Sequence, residues 1–148
     1  MVYQYRHPLG RRLWELPAGL LDTPGEDPLT TAKRELQEEA GLAGTDWRVL
    51  LDTASSPGFS DESVRTYLAT GLSQVERPQA EDEEADLTVH WFGLHDAAAM
   101  VLAGEIVNAS AAAGVLAAYA AVIDGKPTRP VDAPWPDRPT TFARRRAG

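Results

Sequence analysis

The chain has 148 residues and no cysteine, and its 14 basic and 22 acidic side chains give a formal net charge of −8 at pH 7. This length is enough for one domain, and the lack of cysteine excludes disulfides and thiolate metal sites. The negative balance argues against nucleic-acid binding, which needs a basic surface. It permits a site where carboxylates hold divalent cations, although net negative charge equally serves solubility.

Hydrophobic periodicity and turn residues predict strands that alternate with helices. The predicted elements are a strand at 2–6, an apolar stretch at 13–21, a helix from 28 to about 40, strands at 48–54 and 63–72 around the loop 55–62, a strand at 87–92, and helices around 95–103 and 109–123. Asp27 is the predicted cap of the first helix, Gly41 its stop and Asn108 the cap of the last. This alternation predicts an α/β fold with a mixed β-sheet.

The two ends of the chain carry separate expectations. Residues 1–125 are expected to form one domain, and residues 126–148 a Pro- and Arg-rich tail that is extended or disordered and docks at most locally. The chain begins abruptly inside the strand 2–6, so we expect an exposed strand edge that either pairs with another chain or frays. The sequence has neither a membrane-spanning run nor the apolar stretch of a secretory signal. We therefore expect a cytoplasmic protein with neither a membrane nor a nucleic-acid partner.

The helix from 28 to about 40 carries an acidic face beside an apolar seam. At 100° per residue, the predicted seam consists of Leu29, Ala32, Leu36 and Ala40. Glu35, Glu38 and Glu39 fall on an adjacent face with i, i+3, i+4 spacing, where their carboxylates repel one another. Solvent offsets this repulsion if the face is exposed, and a hard cation with oxygen ligands does so if the face is recessed. The helix by itself favours solvation.

The residues around this helix resemble the signature of the Nudix hydrolase family. The matching positions are Gly19, Glu26, Arg34-Glu35-Leu36, Glu38-Glu39 and Gly41-Leu42. The gap from Gly19 to Glu26 is one residue longer than usual, and the extra residue falls in a turn, where an insertion costs little. The resemblance implies a Nudix-type α/β/α sandwich and favours the cation over the solvated face.

The resemblance also implies roles for these residues. The implied metal ligands are Glu35, Glu39, the main-chain carbonyl of Ala18, and Glu38 as a further ligand or close catalytic partner. Arg34 would orient a glutamate by a salt bridge, and Glu26 would pair with Arg34. The implied cofactor is Mg²⁺, with Mn²⁺ as the alternative, because such ions bridge carboxylates to substrate phosphates.

A general base is expected in the acidic run 81–84. Such runs are usually solvated loops. Family members that hydrolyse ADP-ribose carry their base in this loop, however, and alignment on Asp86-Leu87 places it at Glu83, with Glu84 as second choice.

Further positions resemble the ADP-ribose pyrophosphatase branch of the family. Pro57 stands fifteen residues beyond Leu42, as in that branch. The implied substrate-binding residues are Arg6, Pro57, Gly58 and Glu62. The branch exchanges an N-terminal domain between two subunits, which implies a homodimer, and we expect this domain to be missing from the chain.

The implied reaction is hydrolysis of ADP-ribose to AMP and ribose 5-phosphate. The alternatives are hydrolysis of another nucleoside diphosphate sugar, such as a GDP-sugar, and a Nudix domain that senses a nucleotide without cleaving it. The remaining alternative is an acidic module that binds other proteins. On this hypothesis the match of the motif around Arg34 would be a coincidence.

Overall fold

A computed structural model describes residues 1–23, 25–78 and 87–139. Its elements are β1 (Val2–Arg6), a 3-10 turn (His7–Leu9), β2 (Arg11–Glu15), α1 (Pro28–Ala40), β3 (Leu42–Ala43), β4 (Asp46–Ala54), β5 (Ser63–Thr70), β6 (Ser73–Gln74), β7 (Thr88–Val89), α2 (Leu94–Leu102) and α3 (Ala109–Val122). The α/β class predicted from the sequence is confirmed. None of the helices in these ranges is long and apolar enough to cross a membrane.

The strands form three small sheets, with strand orders β2-β1-β7, β3-β6 and β4-β5. Every pairing between these strands is antiparallel, so the expected mixed sheet is not what the described strands form. The short connections explain the β1-β2 and β4-β5 pairs, because parallel neighbours need a crossover of about a dozen residues or more. The expected free edge at residues 2–6 is also wrong, since β1 is the central strand of its sheet.

The predicted ends of α1 and α3 are confirmed. The Asp27 carboxylate accepts hydrogen bonds from the backbone N–H groups of Leu29 and Thr30, and the Asn108 side chain accepts from the N–H of Ala111. Gly41 ends α1 in the left-handed region at φ 66°, which glycine adopts without steric cost.

The buried face of α1 differs from the predicted apolar seam. Its buried residues are Thr31, Glu35 and Glu39, whereas all four seam residues are only half-buried. The cause is the 16–19 loop (residues 16–19, after β2), which lies against the acidic face. Two of the three carboxylates on this face, those of Glu35 and Glu39, are therefore recessed, so the face is not solvated in the way that the helix by itself favours.

The main hydrophobic core lies between α2 and α3. Its buried members are Ala97, Ala98, Ile106, Ala111 and Val115. A Cβ placed on Gly114 of α3 would lie 2.6 Å from Leu16 Cδ1, so α3 packs directly against the 16–19 loop. The α2–α3 core thus supports the loop that covers the acidic face of α1.

The C-terminal strap, residues 126–139, runs along the β4-β5 sheet. Val49 and Arg129 exchange two backbone hydrogen bonds of 2.9 and 3.1 Å. The Arg65 guanidinium donates to the carbonyls of Ala133 and Pro134 and lies 4.8 Å from the ring centroid of Trp135. The strap contains two turns, closed by hydrogen bonds from the N–H of Ala133 to Pro130 and from the N–H of Arg138 to Trp135, and its contacts with the sheet extend over several residues.

An ion pair beneath the strap fixes Arg65. Its Nε and Nη2 donate to the two carboxylate oxygens of Asp52 at 2.7 and 3.0 Å, and only 5% of its side chain is exposed. Burial alone would raise the pKa of Asp52, but the hydrogen bonds from Arg65 and Arg129 outweigh this effect and lower it. The Asp52 carboxylate is therefore ionised and holds both strap and sheet.

Replacing Arg65 with alanine should lower the free energy of unfolding by about 2 kcal/mol, because the half-buried Asp52 carboxylate loses two charged hydrogen bonds and keeps only Arg129. The matched control is Arg48→Ala, which removes an exposed pair with Asp46 at 3.8 Å and should cost only about 0–1 kcal/mol. Urea unfolding of both variants provides the measurement. Equal losses would contradict the assigned role of the buried pair.

Candidate active site

The 16–19 loop buries two carboxylates of α1. The backbone N–H of Ala18 donates to Glu39 Oε2 at 3.0 Å. A Cβ on Gly19 would lie 1.9 Å from Glu35 Oε1, so the Glu35 carboxylate packs directly on the backbone of Gly19. Glu35 and Glu39 are only 8% and 7% exposed. Glycine is needed at position 19 because of this close approach.

Arg34 links the remaining acidic residues of the motif. Its Nη1 donates to Glu35 Oε1 at 2.6 Å and to Glu38 Oε2 at 2.7 Å. Its Nε and Nη2 each lie 3.4 Å from the Glu26 carboxylate. Both ion pairs predicted for Arg34, with a helix glutamate and with Glu26, are therefore present.

The pKa shifts of Arg34 and Glu26 both favour the charged form of the side chain. Burial would lower the pKa of Arg34, but its hydrogen bonds to Glu26 and Glu38 and the charge of Glu35 raise it overall. The pKa of Glu26 is lowered, mainly by the hydrogen bond from Thr31 and then by that from Arg34. The four carboxylates of Glu26, Glu35, Glu38 and Glu39 and the guanidinium of Arg34 carry a formal charge of −3 together.

The donor set fits a hard divalent cation in type and charge. Glu35, Glu39 and the backbone of Ala18 lie together, and it is the N–H of Ala18 that contacts Glu39. Carboxylate and carbonyl oxygens are the ligands that Mg²⁺ and similar ions prefer, and the ligand roles of Glu35, Glu39 and the Ala18 carbonyl stay predictions. Within the described ranges, no three His, Asp or Glu side chains are arranged so that they could hold a metal ion by themselves. Arg34 is the cationic side chain that pairs with Glu35 and Glu38.

The predicted substrate-binding residues lie on two elements. Arg6, on β1, donates from Nε and Nη2 to the two carboxylate oxygens of Glu15 at 2.9 and 2.6 Å. Pro57, Gly58 and Glu62 are exposed in the connection between β4 and β5. The connection is closed by a hydrogen bond from the N–H of Ser55 to the carbonyl of Glu62.

Glu15 is a charged residue that the sequence reasoning missed. It is only 4% exposed and lies on the same strand face as the buried Leu13. A glutamate at the inward position of an alternating strand was the signal that could have found it.

The predicted base, Glu83, and its alternative, Glu84, lie outside the described residues. The flanking residues are anchored on both sides. Arg77 Nε donates to the carbonyl of Glu38 at 2.6 Å, and β7 pairs with β1 at Val2 and Tyr3. Arg77 thus lies at the C-terminal end of α1, and β7 lies in the sheet that carries Arg6.

Comparison with known proteins identifies the family of the chain. The Nudix domain model matches residues 1–112, and the chain therefore belongs to the Nudix family, whose hydrolases generally depend on a divalent metal ion. An ADP-ribose pyrophosphatase of Mycobacterium tuberculosis is 61% identical over 147 residues, which are 99% of this chain and 71% of that protein. An ADP-ribose pyrophosphatase of Bacillus subtilis is 40% identical over 112 residues, 76% of this chain and 60% of that one.

A solved structure described as an ADP compounds hydrolase shares the fold. It matches with a TM-score of 0.68 at 19% identity and covers 84% of this chain and 65% of its own. At this identity the likeness supports the Nudix-type fold and says nothing more about the reaction.

If the acidic face binds a divalent cation, Mg²⁺ or Mn²⁺ should stabilise the folded chain, by about 2.7 kcal/mol at 100 times the dissociation constant. Glu39→Gln should reduce the increase in Tm. The control Glu105→Gln, which changes an exposed glutamate after α2, should keep it. Thermal melts with metal and with chelator would show this, and an unchanged wild-type Tm would speak against a metal site.

Proposed function

We propose that the chain hydrolyses the diphosphate bond of ADP-ribose, giving AMP and ribose 5-phosphate, with Mg²⁺ as the metal. The observation that carries this proposal is the burial of Glu35 and Glu39 beneath the 16–19 loop. Arg34 and the N–H of Ala18 offset part of the cost of this burial, but Glu26, Glu35, Glu38 and Glu39 together carry three more negative charges than Arg34 balances. A divalent cation would offset this remaining charge. Both relatives described above are ADP-ribose pyrophosphatases, which supports ADP-ribose as the substrate.

The metal-binding residues are Glu35, Glu39 and the carbonyl of Ala18, with Glu38 as a further ligand or a close partner. A divalent ion bound there activates water and neutralises phosphate charge. Arg34 keeps Glu35 and Glu38 in place through its two short hydrogen bonds. The Glu26 carboxylate, ionised by its hydrogen bonds to Thr31 and Arg34, holds the other side of the guanidinium.

The hydrolysis itself adds water to one phosphorus of the diphosphate, and the bridging oxygen leaves with the other phosphate. The attacking water gives up a proton, for which Glu83 is the proposed acceptor and Glu84 the alternative. Arg6 is proposed to bind the diphosphate, because a guanidinium matches two phosphate oxygens. Pro57, Gly58 and Glu62 are proposed to contact the sugar end of the substrate.

Incubation with ADP-ribose should release AMP and ribose 5-phosphate in the presence of Mg²⁺, and the release should stop with chelator. A panel of nucleoside diphosphate sugars, with products separated by chromatography, tests the choice of substrate. If a GDP-sugar is cleaved preferentially, the substrate is that GDP-sugar and not ADP-ribose. If the chain binds nucleotides but cleaves none of them, its function is nucleotide sensing and not catalysis.

The variant Glu39→Gln should lower kcat for ADP-ribose by about 10²-fold or more, as expected when a group that stabilises transition-state charge is lost. Its fold should persist, since removing one of three neighbouring negative charges relieves repulsion. Circular dichroism confirms the fold, and Glu105→Gln serves as the activity control. Wild-type turnover in Glu39→Gln would remove the metal site from the mechanism.

A further inference from the structure

We propose that the C-terminal strap supplies a subsite for the sugar end of the substrate, in which Asp132 and Trp135 contact the sugar. The proposal rests on the proposed function, because it takes a nucleoside diphosphate sugar as the substrate. The strap lies beyond residues 1–112, the part of the chain that matches the Nudix domain model. The motif therefore gives the strap no role.

A cleft of about 380 Å³ lies between the strap, β5 and the start of α1. Small-molecule sites in proteins have volumes of roughly 300–1,000 Å³, so a cleft of this size suits one end of a nucleoside diphosphate sugar better than the whole molecule. Its walls combine polar groups, which sugar hydroxyls need, with aromatic surface, which packs on the apolar face of a sugar ring. The lining residues include Asp27, Pro28, Tyr67, Asp132, Trp135 and Arg138.

The cleft adjoins the acidic face of α1. Pro28 lines the cleft and precedes the buried Glu35 by seven residues. Seven residues make almost two helical turns, so the two side chains leave the same face of α1, about 10 Å apart along its axis. Arg138, a second lining residue, lies with its Nη2 3.5 Å from the carbonyl of Glu26, and the Glu26 carboxylate pairs with Arg34. A diphosphate held at the acidic face therefore has the cleft within reach of its sugar end.

The cleft also adjoins the connection between β4 and β5. Trp135 Nε1 donates to Ser63 Oγ at 3.1 Å, and Ser63 directly follows Glu62, which the proposed function assigns to the sugar end. The Arg65 guanidinium lies 4.8 Å from the ring centroid of Trp135 and so fixes the indole from the sheet side. This second contact favours the sugar end of the substrate over the nucleoside end as the occupant of the cleft.

Asp132 is the acceptor that the cleft offers to sugar hydroxyls. It is exposed, and among the described residues none forms a hydrogen bond or an ion pair with its side chain. Other residues hold the strap, chiefly Arg65 and Arg129 through Asp52. A carboxylate has two acceptor oxygens, which match two neighbouring hydroxyls of a sugar. Asp132 therefore takes no part in fixing the strap and is available to a ligand.

Replacing Asp132 with alanine should raise KM for ADP-ribose about 10-fold, the equivalent of one hydrogen bond to a charged group. The kcat should hardly change, because contacts with the sugar are made equally in the ground state and the transition state. The matched control is Asp137→Ala, which removes an exposed aspartate of the strap outside the cleft and should leave both constants unchanged. An unchanged KM in Asp132→Ala, or an equal rise in the control, would overturn the proposal.

Trp135→Ala should also raise KM, because it removes the aromatic surface beside the sugar. It weakens the attachment of the strap as well, so Arg129→Ala serves as the comparison. That variant removes a 2.8 Å contact with Asp52 outside the cleft, while Arg65 still holds the strap. Thermal melts should show a lower Tm for both variants, but only Trp135→Ala should raise KM. A similar rise in both would show that the strap acts through stability alone and would overturn the proposal. If Trp135→Ala does not fold, the exposed Asp132 still provides the test.

Calorimetric binding of ADP-ribose and of ADP, with chelator present to prevent cleavage, separates this proposal from the proposed function. Asp132→Ala should weaken ADP-ribose binding about 10-fold and leave ADP binding unchanged, since ADP lacks the second sugar. This result supports the subsite even if the wild-type chain cleaves no ADP-ribose. Equal weakening for both ligands would place the nucleoside end in the cleft and overturn the proposal. Unchanged ADP-ribose binding in a chain that cleaves it would overturn the subsite and leave the proposed function intact, and a wild-type chain that binds no ADP-ribose would overturn the subsite as well.

Discussion

The site depends on the contact between the 16–19 loop and the acidic face of α1. Carboxylates leave water at a high cost unless donors or cations replace it, and here Ala18 supplies an N–H and Arg34 a guanidinium. The loop is held in turn from two sides, by β2, which leads into it, and by α3, whose Gly114 lies against Leu16. The hairpin, the helical core and the motif helix are thus coupled through four residues of loop.

The motif could be predicted from the sequence because its chemistry is local. Asp27 and Gly41 set the ends of α1 by backbone rules that act within a few residues, and the spacing of Glu35, Glu38 and Glu39 follows from the helical repeat. The buried face of α1 could not be predicted in this way. Apolar periodicity shows which residues would profit from burial, but the face that is covered depends on a loop that comes earlier in the chain.

Long-range partners account for the other differences. Arg65 binds carbonyls 68 and 69 residues further along the chain. No local sequence pattern indicates that the Pro-rich segment carrying these carbonyls will pack on the strand that carries Arg65. The pairing of β1 with β7 joins residues that are more than 80 positions apart, which is why the first strand looked like an edge. The alternation of β2 indicates that Glu15 is buried, but it does not indicate a partner for its charge. That partner, Arg6, lies on the neighbouring strand, four residues beyond the residue that pairs with Glu15.

Gly19 shows how a residue without a side chain can determine a site. Any of the other nineteen amino acids brings a Cβ into the space that Glu35 Oε1 fills. The added Cβ would also overlap Cδ and Cγ of Glu35, at 2.1 and 2.7 Å, so the whole glutamate side chain would have to leave its place. We expect the fold to tolerate the loss of this one side-chain position. In a saturation scan, position 19 should therefore separate two quantities that usually fall together. Most substitutions would leave the amount of folded protein unchanged, whereas every substitution would abolish function.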